Sequence, residues 1–283
     1  MPSQTRPARP VRSVLPVLLA TLFALALTSC SLLPERGADG SATASASPTA
    51  ASPSTNPGTE PAPPKTVPSS CPENTSLPSQ RLPRTRTAML GTSAARAALS
   101  RLRTAERTRG DDFCRAAFGP STWPDLDGNG CSARQDTLRR GGRDLVVGVI
   151  RSHGTGCREV LSGTWVDAYT GETLPGPNMK DPTIAATIQI DHLVSLFNAW
   201  ISGAREWPPE RRVQFANDTS IHELYAVSAA TNFAKSYRGA ESWRPPAAYQ
   251  CRFARSYVEV KASYDLTVTA AEREALSDML DTC

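Results

Sequence analysis

The stretch Thr187-Ile188-Gln189-Ile190-Asp191-His192-Leu193-Val194 decides how this chain is read. Thr187 to His192 is a short β-branched run, which favours a strand, and it ends in two polar residues. From Leu193 to Ala204 apolar residues recur at helical spacing as far as Gly203, so a helix is expected straight after the strand. A strand end that delivers a carboxylate and an imidazole together is a place where a proton can be held or moved.

Working outward, Asp144–Ile150 and Arg158–Val166 read as strands separated by the turn residues Gly154-Thr155-Gly156. Asp167-Ala168-Tyr169-Thr170-Gly171 reads as a further turn, and Trp123 to Gly130 as a loop dense in Asp, Gly and Asn. Ser93 to Thr108 is amphipathic at helical spacing. Pro208 or Pro209 can open a helix running to about Asn217, since proline is tolerated in a first turn. Tyr249–Tyr264 and Ala270–Leu280 complete the helical patterns. The class is α+β.

The chain begins differently. Arg6, Arg9 and Arg12 precede an apolar run from Val14 to Leu27, too short to span a bilayer comfortably. Leu27-Thr28-Ser29-Cys30 is similar to the end of a bacterial lipoprotein signal, which implies that residues 1–29 are a signal peptide and that Cys30 receives a lipid. Residues 30–70 are rich in Ala, Ser, Thr and Pro and have almost nothing large and apolar to bury, so a flexible tether is expected. Residues 71–283, about 210 in all, suffice for one well-filled domain. The protein is expected outside the cytoplasm, either secreted or held by its lipid on the outer face of the cell membrane.

Six cysteines remain beyond Cys30: Cys71, Cys114, Cys131, Cys157, Cys251 and Cys283. An even number in an exported chain points to disulfides, and no two stand at the spacing of a tight zinc-ligand pair. Six cysteines allow fifteen pairings, among which spacing cannot choose. The expectation is Cys131 with Cys157, Cys251 with Cys283 and, by remainder, Cys71 with Cys114. Charge excludes little. Removing Arg6, Arg9, Arg12, Arg36 and Lys65 from 31 basic residues, and Glu35, Asp39 and Glu60 from 27 acidic ones, leaves the domain at +2. Such a balance neither demands nor forbids a nucleic-acid partner.

Forty residues beyond Asp191-His192 comes Ala230-Thr231-Asn232-Phe233-Ala234-Lys235-Ser236. With Asp125-Leu126-Asp127-Gly128-Asn129-Gly130-Cys131, Leu161–Trp165, Phe215–Asp218, Tyr225–Val227 and Trp243–Pro246, these pieces in this order resemble the HNH endonuclease superfamily, and more closely its exported actinobacterial group. The resemblance implies a ββα-metal core within a disulfide-bonded domain, acting on phosphodiesters of nucleic acid, DNA in the first place. It implies His192 as general base, with Asp191 and Asn232 holding a divalent cation, Mg²⁺ by the hardness of those oxygen donors. Lys235, one turn after Asn232, is expected to face a phosphate.

The chain departs from the family pattern at one place: the middle asparagine of the name would stand four residues before Val227, where this sequence has Glu223. An ionised glutamate keeps only acceptors. That substitution motivates an alternative, a catalytically weakened surface binding or scaffold lipoprotein. Asp125, Asp127 and Asn129 resemble the opening of a calcium loop, with Asp136 at its twelfth position and Arg134 inside it. The expectation there is a structural turn, with Ca²⁺ as the competing occupant and Arg134 and Asp136 as further site candidates. His153 and His222 are read as surface or packing residues.

Overall fold

The computed structural model describes residues 62–66, 68–149 and 156–283. Every element below belongs to the unit Pro57–Cys283. The expected signal peptide, Cys30, most of the tether and His153 lie outside the described residues.

The first helix, α1 (Thr92–Arg101), buries Ala95, Ala98 and Leu99. It stops seven residues short of the expected end at Thr108. Beyond it, Ala105 N donates to the Val268 carbonyl at 3.0 Å and Thr108 N to the Ile201 carbonyl at 2.9 Å, while Thr104 bridges Val268 in parallel. The N–H groups that would have extended the helix are satisfied by chain-distant carbonyls, so tertiary pairing overrides the local pattern. Helix α2 (Ala133–Gly141) was not expected. Its sequence is largely polar and buries only Ala133, Thr137 and Leu138, with Ser132 capping it by accepting from Gln135 N.

Strands β1 (Gly142–Val149), β2 (Arg158–Val166) and β3 (Thr173–Gly176) form an antiparallel sheet in that order. Helix α3 (Pro182–Thr187), capped by Asp181, leads into β4 (Ile188–His192), the run on which the sequence reading turned. The helix expected over Leu193–Ala204 is shorter: α4 covers Leu196–Ile201 and a 3₁₀ turn follows at Ala204–Glu206. Leu193 N and Val194 N are both held by Glu223, through its carbonyl at 2.8 Å and its carboxyl at 3.1 Å, and Ser195 then caps the helix. Helix α5 (Pro209–Ala216) precedes β5 (Leu224–Ser228), which runs directly into α6 (Ala229–Lys235). Helices α7 (Ala247–Ser263) and α8 (Ala270–Asp281) close the chain close to the expected bounds.

β4 and β5 pair antiparallel as a separate two-stranded ribbon, from Ile188 opposite Ser228 to His192 opposite Leu224. Side chains alternate along a strand, so the ribbon has two faces. Ile188, Ile190, Leu224 and Ala226 pack with Trp165 and Leu138 on the side of the three-stranded sheet. Tyr225 and Val227 pack into the larger, helical core built from α1, α4, α5, α7 and α8. The ribbon is therefore a middle layer, buried on both sides.

Three disulfides bind the unit: Cys71–Cys114, Cys131–Cys157 and Cys251–Cys283, with Cα atoms 5.8, 4.9 and 5.0 Å apart. These are the expected pairs.

Candidate active site

Asp191 and His192 are neighbours on β4, and strand alternation sends them to opposite faces of the ribbon. Asp191, 6% exposed, turns toward the helical core. Its Oδ2 accepts the Tyr169 hydroxyl at 2.7 Å, and the Lys235 ammonium lies 3.2 Å from Oδ1 and 2.9 Å from Oδ2. Lys235 is fully buried and also donates to the His192 carbonyl at 2.8 Å. It faces the acid and the strand end, not an external phosphate as expected. Burial pushes the Asp191 carboxyl up, and Lys235 and Tyr169 pull the other way. Tyr169 itself is raised well above the ordinary phenol range by burial and by Asp191, so it remains a donor.

His192 has different surroundings. Its Nε2 lies 2.9 Å from the Ala216 carbonyl, which can only accept, so Nε2 carries the proton and Nδ1 the lone pair. No described residue bonds to Nδ1, and that atom is not among the fully sealed unpartnered ones. Burial, then the Arg115 guanidinium, pushes the imidazole pKa down to about 3, so it is neutral throughout the physiological range. The Trp123 indole lies parallel over the ring, 5.4 Å between centroids and 11° between planes. Trp123 has φ +57°, a left-handed backbone conformation that is costly for a bulky side chain.

Glu223 is completely buried at the turn into β5. Oε2 accepts from Val194 N, while Oε1 is buried with no partner. Burial raises its pKa well above the ordinary carboxylate range, which favours the uncharged acid. An uncharged carboxyl has one acceptor and one donor, as an amide does.

Asn232 stands on α6, held over β4 by the Ser228 cap, which accepts from Thr231 N at 3.0 Å. Its amide donates to Gln189 Oε1 at 2.7 Å, and nothing bonds it to Asp191 or His192. Two hard oxygen donors, Asp191 and Asn232, suit a divalent cation in kind. Their arrangement does not: an internal ammonium already covers the carboxylate, and no three His, Cys, Asp or Glu side chains among the described residues come together to hold a metal. The Asp125–Asn129 loop is likewise satisfied internally. Asp125 accepts from Gly128, Asn129 and Gly130 N–H groups, Asp127 from Asn129 N, and the Asn129 amide donates to Asp127 and Asp136. That is a structural turn. Arg134 is half-buried, and His222 is buried against Glu259 at 2.6 Å.

Three participants were missed in the sequence. Tyr169 was read only as part of a turn. That turn is fixed by Asp167, which accepts from Tyr169 N, Thr170 N and Ser228 N, and a Cβ at its Gly171 (φ +77°) would collide with the Tyr249 hydroxyl. Trp123 was read as a loop residue, and Gln189 carried no signal at all. An aromatic residue just before an Asp/Gly/Asn loop was the only available hint.

Among the comparisons with known proteins, a family model matches the region that builds this site. A model of the family described as GmrSD restriction endonucleases, C-terminal domain, matches residues 136–279, which contain the ribbon, α6 and Glu223 and leave Trp123 outside. An uncharacterized secreted protein of Arthroderma benhamiae is 38% identical over 192 residues, covering 68% of this chain and 85% of that protein. No solved structure matches.

Proposed function

This chain belongs to the family of the GmrSD restriction endonuclease C-terminal domain, and from that premise we propose an exported HNH-type endonuclease that hydrolyses phosphodiesters of DNA. The observation that carries the reading is the geometry of His192: Nε2 is oriented by the Ala216 carbonyl, and no described residue bonds to Nδ1. Nδ1 takes a proton from the attacking water as the new P–O bond forms. The P–O bond to the departing sugar oxygen then breaks, and that oxygen takes a proton from solvent. Trp123 fixes the plane of the imidazole. Lys235 is a positioning residue, tying the His192 carbonyl to Asp191.

The expected Mg²⁺ requirement stands apart. Asp191 is closed by Lys235 and Tyr169, so no step here is routed through a cation. The same closure favours a second reading, a domain that binds nucleic acid without cutting it. Purified protein with supercoiled plasmid, assayed in Mg²⁺ and in chelator, separates the two. Nicking by the wild type and none by His192→Ala is expected; cutting that survives the substitution sinks the assignment, and binding without cutting under any divalent metal installs the second reading.

Export is supported by the secreted relative and by three disulfides, which persist in oxidising compartments. We assign the membrane attachment to a lipid on Cys30. Expressed in a bacterial host, Cys30→Ser is expected to move the protein from the membrane fraction to the soluble one, and an unchanged distribution would refute the anchor.

A further inference from the structure

Arg86 and Arg252 flank Tyr225 on the ribbon, and Arg140 reaches Thr219, whose neighbour Ser220 holds Thr87 next to Arg86; none of the three is in an ion pair among the described residues. Arg86 and Arg252 each place the guanidinium carbon 5.5 Å from the centroid of the Tyr225 ring. Arg86 Nη2 donates to the Leu224 carbonyl at 3.0 Å, and Arg140 Nη1 to the Thr219 carbonyl at 2.7 Å. Arg86 Nε is buried and has no partner. Burial and then Arg140 bring the Arg86 pKa down to about 10, with Arg252 adding to the push against Tyr225 and Glu259.

The nearby acids are already engaged. Glu259 is held by His222 at 2.6 Å and Thr87 at 2.9 Å; Asp218 by the Ser220 and Tyr264 hydroxyls; Asp136 by Asn129. Asp136, Asp127 and Asp218 act on Arg140, and Glu259 on Arg86, but none of their carboxylates bonds to either guanidinium, and like charges kept close with no ion pair invite an anion. Guanidinium forks match the paired oxygens of a phosphate, and their planar faces tolerate the aromatic neighbour.

We propose that Arg86 and Arg252, flanking Tyr225, and Arg140 beside them form a phosphate cradle on the strand paired with β4, on the ribbon face opposite the His192 side chain, gripping a backbone phosphate of the nucleic acid. Leu224, whose carbonyl anchors Arg86, is the register partner of His192. That the phosphate belongs to nucleic acid rests on the nuclease reading; the anion chemistry does not.

The test uses the purified full chain in EDTA, so that binding is measured without cutting. Anisotropy of a fluorescein-labelled duplex is followed over a salt series for the wild type, Arg140→Gln, Arg252→Gln and the double variant, and inorganic phosphate is titrated calorimetrically into the same proteins. Arg86 is left intact because it also holds Leu224, and thermal melts check the fold of each variant. Each substitution is expected to weaken duplex binding roughly tenfold at low salt and to reduce the salt slope by about one. A double variant with wild-type affinity and slope overturns the cradle and leaves the nuclease reading standing. Phosphate binding that is lost in the double variant, from a wild type that ignores the duplex, supports the cradle and counts against the nuclease reading. A wild type that binds neither overturns the cradle.

Discussion

Glu223 and His192 are buried side chains that oppose each other in pH. The folded value of His192, about 3, lies below its ordinary 6.5, so the unfolded chain binds a proton that the fold refuses. Its contribution to stability is present above pH 6.5 and is lost as pH falls toward about 3, at up to ~1.4 kcal/mol per pH unit. Glu223 has a raised value, so its contribution is present below the ordinary 4.5 and is lost as pH rises through the folded value. Urea melts over pH 4 to 8 check both signs. His192→Gln is expected to flatten the acid limb, and Glu223→Gln to gain on the wild type as pH rises from 4.5. A Glu223→Gln difference that stays constant with pH would show that the carboxyl is ionised in the fold. Tyr169 shows why the sequence was mute at this scale. Its role comes from a strand 22 positions away, and no local pattern marks a turn residue as a partner for a distant acid.

At the scale of elements, β4–β5–α6 is the unit that holds the candidate site, and the Lys235–Asp191 pair fastens it. Breaking a buried ion pair leaves an uncompensated charge, so Lys235→Met is expected to cost about 3–5 kcal/mol. Adding Asp191→Asn removes the stranded charge and should recover part of that loss. A double-mutant cycle from urea melts measures the coupling, and a coupling near zero would mean that the two groups do not meet in solution. β4 was legible because Ile188, Ile190 and the polar pair after them form a self-contained pattern. β5 and α6 were expected only through the family resemblance. The helices misjudged in length, α1 and α4, end where Val268, Ile201 and Glu223 supply partners that no local window contains. Helix α2 escaped notice because a largely polar sequence carries no apolar period.

Among the described residues, two main cores share a buried ribbon, and the disulfides span 43, 26 and 32 residues. Cys251–Cys283 ties the start of α7 to the residues just after α8; the helices are also joined by packing, by the Lys261–Glu272 pair and by the Tyr257 hydroxyl, which donates to Glu272. Cys251→Ala/Cys283→Ala is expected to lower stability by about 2–4 kcal/mol, read as a shift in urea midpoint under non-reducing conditions. An unchanged midpoint would mean that α7 and α8 need no staple. The even cysteine count made this framework readable, whereas the division into two cores was not, because nothing in a strand's sequence says which layers it separates.

The parts of the Asp191 cluster come together across 22, 44 and 61 residues of chain, through Tyr169, Lys235 and the Asp167–Ser228 bond. Contacts that close long loops form late, after the helices that need only local bonds. Refolding followed at Trp123 and at the backbone should therefore separate in time, with helical signal returning before the indole settles on the imidazole. A chain crossing a membrane unfolded would carry its helices early and its site last, and so would reach its destination before it became competent.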